Sequence, residues 1–227
     1  MNFLFVFLIS AVFSSTYNIG DQISLAHQNA EYDICYGSEL DLNGDGVFQL
    51  VELNGDLNGG NYYVVLLKMS TSWWPACYSG LSSFDSFIQQ YDNNENVFIF
   101  TSLADIGQPY SCNQWGQQGT SEFPLITDDT GFPMFNLFNT ENLLPSVVFI
   151  DHNMEVFYQE AGWSSTTATT KVNEMLANLE NTLILGTYMD YNIDSSFGDN
   201  DGVLNPGEVF NLDFNVSNNS FYSDAYN

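Results

Sequence analysis

Residues 62–80 read YYVVLLKMSTSWWPACYSG. An apolar run broken by one lysine ends in a turn that carries two tryptophans, a proline and a cysteine. A continuous apolar run of this length predicts a strand covered on both faces. VFIFTS at 97–102 is a second such run. Between them, LSSFDSFIQQY places Leu81, Phe84, Phe87, Ile88 and Tyr91 on one helical face. Strand, helix and strand in one sheet predict a right-handed parallel crossover. The tryptophan turn then sits where the first strand feeds the helix.

Downstream, residues 111–140 are punctuated by Gly and Pro and predict one or two short helices. SVVFID (146–151) and MEVFYQEAGW (154–163) are separated only by HN, which predicts an antiparallel hairpin with His152 in its turn. TTATTKVNEMLANLENTL carries Val172, Met175, Leu176 and Leu179 at helical spacing. The order βαβ, irregular helices, ββα predicts an α/β fold, a mixed central sheet with helices on both faces. From about residue 184 the texture changes to a turn-rich acidic stretch. VFNLDFNVSNNS (209–220) then alternates apolar and polar residues, as a half-buried antiparallel strand does. About 40 residues are too few for a β-sandwich, which needs ~100, so an incomplete second β module is expected.

Composition narrows the function. The chain has 227 residues, 44% of them hydrophobic, and carries 28 acidic residues against two lysines, for a net charge of −26. Such a chain repels phosphate backbones and anionic bilayers, so nucleic acid is not an expected partner. Self-repulsion on this scale points to a salty milieu, to bound calcium, or to both. MNFLFVFLISAVFSS is too short an apolar run to span a bilayer and fits a secretory signal peptide over 1–15. Secretion to the periplasm, the medium or the cell surface follows, with no stable membrane insertion after cleavage. Cys35, Cys77 and Cys112 are an odd set, so in an oxidising compartment two should pair and one stay free. No C-x-x-C occurs, and His27 and His152 are too few and too scattered for a zinc site.

Element order and turn together resemble the thioredoxin-like superfamily, in particular its secreted redoxin (AhpC/TSA–TlpA-like) branch. That family shows W-C-x-x-C after the first core strand and a cis proline just before the third. Here SWWPAC places Trp73 at the leading tryptophan, Trp74 at the first cysteine, Pro75 and Ala76 between, and Cys77 at the second. NLLPSVVFID places Pro145 at the cis proline, and AGW places Gly162 at the glycine after the last strand. The resemblance implies a thioredoxin-like domain over 35–183, preceded by an extension over 16–34, and no cofactor for it. It also implies a thiol or disulfide on a protein or peptide as partner.

The departure decides the activity. Thiol–disulfide exchange begins with an exposed, acidic thiolate, which the family takes from its first cysteine. Trp74 has no thiol and no acid–base chemistry, so dithiol cycling should be weak or lost. Cys77 and Cys112 could pair. A peroxidatic Cys77 lacks the threonine and arginine that peroxiredoxins show. Trp73, Trp74, Pro75 and Pro145 could instead form a groove for extended peptide, or both indoles could simply cap the core. A non-catalytic binding or adhesion module is therefore the alternative to an oxidoreductase.

Two acidic loops match calcium patterns. DLNGDGVFQLVE fits D-x-[DN]-x-[DN]-G-x5-E at Asp41, Asn43, Asp45, Gly46 and Glu52, but flanking helices are not predicted, so a hairpin through NGDG is the favoured reading. GDNDGVLNPGE is the better candidate. Asp199, Asp201, Asn205 and Glu208 stand with the Val203 carbonyl at five ligand positions, and Asp194 could replace Phe197 at the first. This puts a calcium-binding linker over 184–208, similar to those before β-sandwich modules of bacterial surface proteins, and the incomplete module over 209–227.

Overall fold

The computed structural model describes residues 16–119, 124–180, 185–193 and 210–218. The expected signal peptide and the ligand set Asp199, Asp201, Val203, Asn205 and Glu208 lie outside those residues. The chain divides into two units between Leu176 and Ala177.

In the first unit the elements run α1 (Leu25–Gln28), β1 (Tyr32–Tyr36), β2 (Val47–Phe48), β3 (Val64–Ser70), α2 (Pro75–Ser79), α3 (Leu81–Ile88), β4 (Val97–Leu103), α4 (Cys112–Gly116), β5 (Leu125–Asp128), α5 (Pro133–Phe138), β6 (Ser146–Ile150), β7 (Val156–Ala161) and α6 (Ser165–Glu180), which runs past the boundary. The lysine-broken run is an interior strand of the sheet, and all seven residues of β3 are buried. It pairs in parallel with β4, Val64 opposite Val97 through Ser70 opposite Leu103, and antiparallel with β6, Val65 opposite Ile150. The strand order β2-β1-β5-β4-β3-β6-β7 makes the sheet mixed.

Successive β3 side chains serve opposite faces. Val65, Leu67 and Met69 join Phe100, Phe138 and Val148 in one core. Val64 and Leu66 join Phe84, Phe87, Trp115 and Val172 in the other. The expected helix at 81–91 is observed as α3, which buries Leu81, Phe84, Phe87 and Ile88. Two apolar layers on one sheet hold both ends of β3 in place, and with them the turn that follows it.

The N-terminal boundary differs from expectation. Tyr17, Ile23 and Tyr32 are buried in the core and β1 straddles residue 35, so 16–34 is integral to the fold and not an extension. Its apolar residues are spaced too irregularly to show a periodic pattern. The 41–52 stretch does close a hairpin, with Tyr32 opposite Phe48, but through a ten-residue loop, 37–46, instead of a tight two-residue turn.

In the second unit β8 (Leu185–Ile193) pairs antiparallel with β9 (Phe210–Asn218) over nine residues. β9 is the expected strand. β8 occupies the first part of the expected linker. Leu185, Met189, Tyr191 and Ile193 recur at alternate positions with Gly186, Asp190 and Asn192 between them, a partial period of two beneath a composition that reads as turn-rich.

Candidate functional site

β3 ends at Ser70, and the chain turns into α2 through Thr71–Trp74. The turn is tied down by Ser72, whose N–H donates to Asp105 Oδ1 at 2.7 Å and whose hydroxyl lies 2.7 Å from the Gln108 carbonyl and 3.1 Å from Asp105 Oδ2. The loops after β3 and β4 are thereby fastened to each other. Trp74 is the N-cap of α2 in extended conformation (φ −88°, ψ 120°) and Pro75 is the first helical residue. Proline suits that place because its missing N–H would have no helical partner.

Both indoles face outward, Trp73 57% and Trp74 43% exposed, edge to face with centroids 5.5 Å apart. This excludes the reading in which they cap the core. They line an apolar groove of about 450 Å³ together with Phe132, Phe135, Leu143 and Leu144. Next to Leu144, the Leu144–Pro145 peptide is cis, and the Pro145 carbonyl accepts the Gly162 N–H at 2.7 Å. Gly162 has φ +91°, a conformation that side-chain-bearing residues rarely adopt. A second cis peptide, Gln108–Pro109, lies in the loop bonded to Ser72.

Cys77 is the third residue of α2 and is fully buried. Its thiol is pushed above its ordinary range, chiefly by burial. The Thr71 N–H, the Lys68 ammonium and the Thr71 and Ser70 hydroxyls act in the opposite direction. Lys68 is the residue that sequence reasoning missed. It sits in the middle of β3, 1% exposed, with Nζ 4.3 Å from the Phe84 ring centroid and 5.7 Å from that of Trp163. Desolvation lowers its pKa to about 8. The signal was the one charged residue inside YYVVLLKM.

Cys112 is at the first position of α4 and is bonded to Cys35 of β1, with Cα atoms 5.9 Å apart. The Cys77–Cys112 pairing that the sequence left open does not form: Cys77 is the free thiol and Cys112 is not available to it. The reason is topological. β1 pairs with β5 and packs beside α4 so closely that a side chain at Gly116 would strike the Tyr36 ring. α2 instead meets α4 through aromatic rings, with Tyr78 and Trp115 centroids 6.3 Å apart, and Tyr78 stacks on Tyr110 of the preceding loop. Of the sequence candidates, the structure gathers Trp74, Pro75, Cys77 and Pro145 at one end of the sheet.

By sequence, the chain matches no protein-family model and no curated protein. By structure, it resembles a candidate thiol:disulfide interchange protein DsbE from Chlorobium tepidum (TM-score 0.53, 17% identity, 70% of this chain and 99% of that one). It also resembles a candidate protein disulfide isomerase from Bacteroides thetaiotaomicron (0.52, 17%, 71% and 91%). DsbF of MTB is a third (0.51, 15%, 66% and 97%). Likeness at this identity establishes the fold, which is thioredoxin-like.

Proposed function

We propose that this is a secreted thioredoxin-fold protein of the thiol–disulfide oxidoreductase class whose catalytic corner has become a binding surface, with disulfide turnover weak or lost. One observation carries the reading: the exposed Trp73–Trp74 pair opens onto an apolar groove beside Pro145, whereas the free thiol, Cys77, is fully buried. A thiolate must reach a disulfide sulfur to attack it, and its reactivity falls when an apolar site raises its pKa. Indoles in a groove supply contact area at low conformational cost, so an extended apolar peptide segment of a partner protein is the occupant that suits it. The three structural relatives keep the oxidoreductase class as the origin of the fold. The Cys35–Cys112 bond supports an oxidising compartment, and no helix among the described residues is long and apolar enough to cross a membrane.

Insulin reduction driven by dithiothreitol tests the reading. Wild type is expected at the uncatalysed rate, and Trp74→Cys, which rebuilds a C-x-x-C turn, well above it. Wild-type turnover that disappears in Cys77→Ser would overturn the proposal.

A further inference from the structure

We propose that residues 41–52 form a calcium site, with Asp41, Asn43, Asp45, the Val47 carbonyl and Glu52 as ligands and Gln49 acting through water. The loop is outside the thioredoxin-like corner and independent of its chemistry. Its sequence places oxygen ligands at positions 1, 3, 5, 7, 9 and 12 and a glycine at 6, the spacing by which one chain wraps a calcium ion.

The fold brings those positions together. Asp41 Oδ2 accepts the Gly46 N–H at 2.8 Å, Asn43 Oδ1 accepts that of Asp45 at 3.0 Å, and Asp45 Oδ1 accepts that of Val47 at 2.8 Å. Gly46 makes the sharp turn at φ +85°, and a β-carbon there would meet nothing within 4 Å, so conformation and not space requires the glycine. Glu52 returns to the loop on a short 3-10 helix, Leu50–Leu53, where its Oε1 accepts the Gln49 N–H at 3.0 Å and lies 3.3 Å from Asn43 Nδ2. The helical turn that an EF-hand has after its loop is thus present, and the β1–β2 hairpin stands in for the helix before it.

What points to a ligand is the remaining oxygen of each end carboxylate. Asp41 Oδ1 and Glu52 Oε2 are both shut off from solvent and neither has a hydrogen-bond partner. Burying an anionic oxygen with no donor is costly unless a cation faces it. The protein has no side-chain cation to offer: Lys68 is inside the sheet core and Lys171 is paired with Glu174 at 2.7 Å. An all-oxygen set with carboxylates at both ends suits Ca²⁺ better than zinc or copper. No three His, Cys, Asp or Glu side chains among the described residues already converge on one point. The Asn43 amide and the Val47 carbonyl complete the set, and binding draws the carboxylates inward.

Calorimetric titration of the full chain with CaCl₂ in chelated buffer tests the site, with MgCl₂ run in parallel. With three carboxylates, affinity on the order of 10⁻⁵–10⁻³ M is expected. Glu52→Gln and Asp41→Asn should each weaken this event by at least about tenfold, whereas Glu208→Ala should leave it in place. In amide spectra, Gly46 and Val47 should shift on calcium addition in wild type. Those two resonances decide the matter if a variant fails to fold. The proposal is overturned if Glu52→Gln and wild type titrate alike, or if Gly46 and Val47 do not move at about 10 mM calcium, roughly tenfold above the weak end for such loops.

Discussion

Cys35 and Cys112 are joined across a sequence separation of 77 residues, and that bond leaves Cys77 without a thiol to pair with. It fastens β1 to α4 on the side of the sheet away from β7. In the chain-entropy description a loop of this size stabilises by about 4.5 kcal/mol, and observed values are typically about 2–4.

Two consequences are measurable. Mass spectrometry of the unreduced protein after denaturing alkylation should find a single modified cysteine, Cys77, and the native protein should resist the same reagent. Cys35→Ser with Cys112→Ser should lower unfolding free energy by about 2–4 kcal/mol. Label on Cys35 or Cys112 without reductant would refute the pairing.

Lys68 predicts a pH dependence. Its folded pKa, about 8, is below the unfolded value of 10.5, so between those values the unfolded chain holds more protons. Stability should therefore rise with pH across that window, and the penalty is fully present below pH 8. Cys77 and Tyr32, both raised, act in the opposite sense, Tyr32 between 10 and about 12. The difference between wild type and Lys68→Met isolates the lysine. The variant should be more stable at pH 7, by at most about 3 kcal/mol, and the gap should narrow toward pH 10. A gap independent of pH would show that Lys68 is not titrating in the core.

Asp129 holds the wall of the groove. Its carboxylate accepts the Met134 N–H at 2.6 Å and the Phe135 N–H at 3.1 Å, at the start of α5. Burial raises its pKa to about 6 against an unfolded 3.8, so its contribution to stability is greatest in acid and is lost as pH rises from about 4 to about 6. Asp129→Ala should cost about 1–3 kcal/mol by leaving buried donors unmet. Chemical denaturation at pH 7 reads this directly, and a loss below about 0.5 kcal/mol would place the carboxylate outside the helix cap.

The indoles should matter for binding and not for stability. Trp73→Ala and Trp74→Ala are expected to change unfolding free energy by only about 0.5 kcal/mol, since both residues are largely exposed. Binding of reduced, carboxymethylated insulin B chain, followed by fluorescence anisotropy, should weaken severalfold in each. Unchanged anisotropy curves would count against the groove.

The elements legible in the sequence were those with an unbroken apolar run or a clear helical period. β3, β4, β6, β7, α3 and α6 each show one or the other, and Trp74, Pro75 and Pro145 follow from the turn and the proline. β5, four residues of LITD inside a Gly- and Pro-rich stretch, offers too short a run. β1 is paired on both sides, but its register slips between Ile34 and Tyr36, which blurs any alternation. The disulfide partner depends on which segments the finished sheet brings together, and spacing along the chain does not carry that. In the 41–52 loop the pattern was visible but its context was not: the exit turn is only four residues long, below what helical periodicity can show.

The confinement of Lys68 leaves the molecule facing its surroundings as a near-pure polyanion, because its other basic side chain is already neutralised by Glu174. Encounters with a cationic protein would be accelerated over distances of a Debye length, about 10 Å at 0.1 M salt, and slowed as ionic strength rises. Toward negatively charged surfaces the same field acts as a barrier, so selection among partners begins before any contact is made.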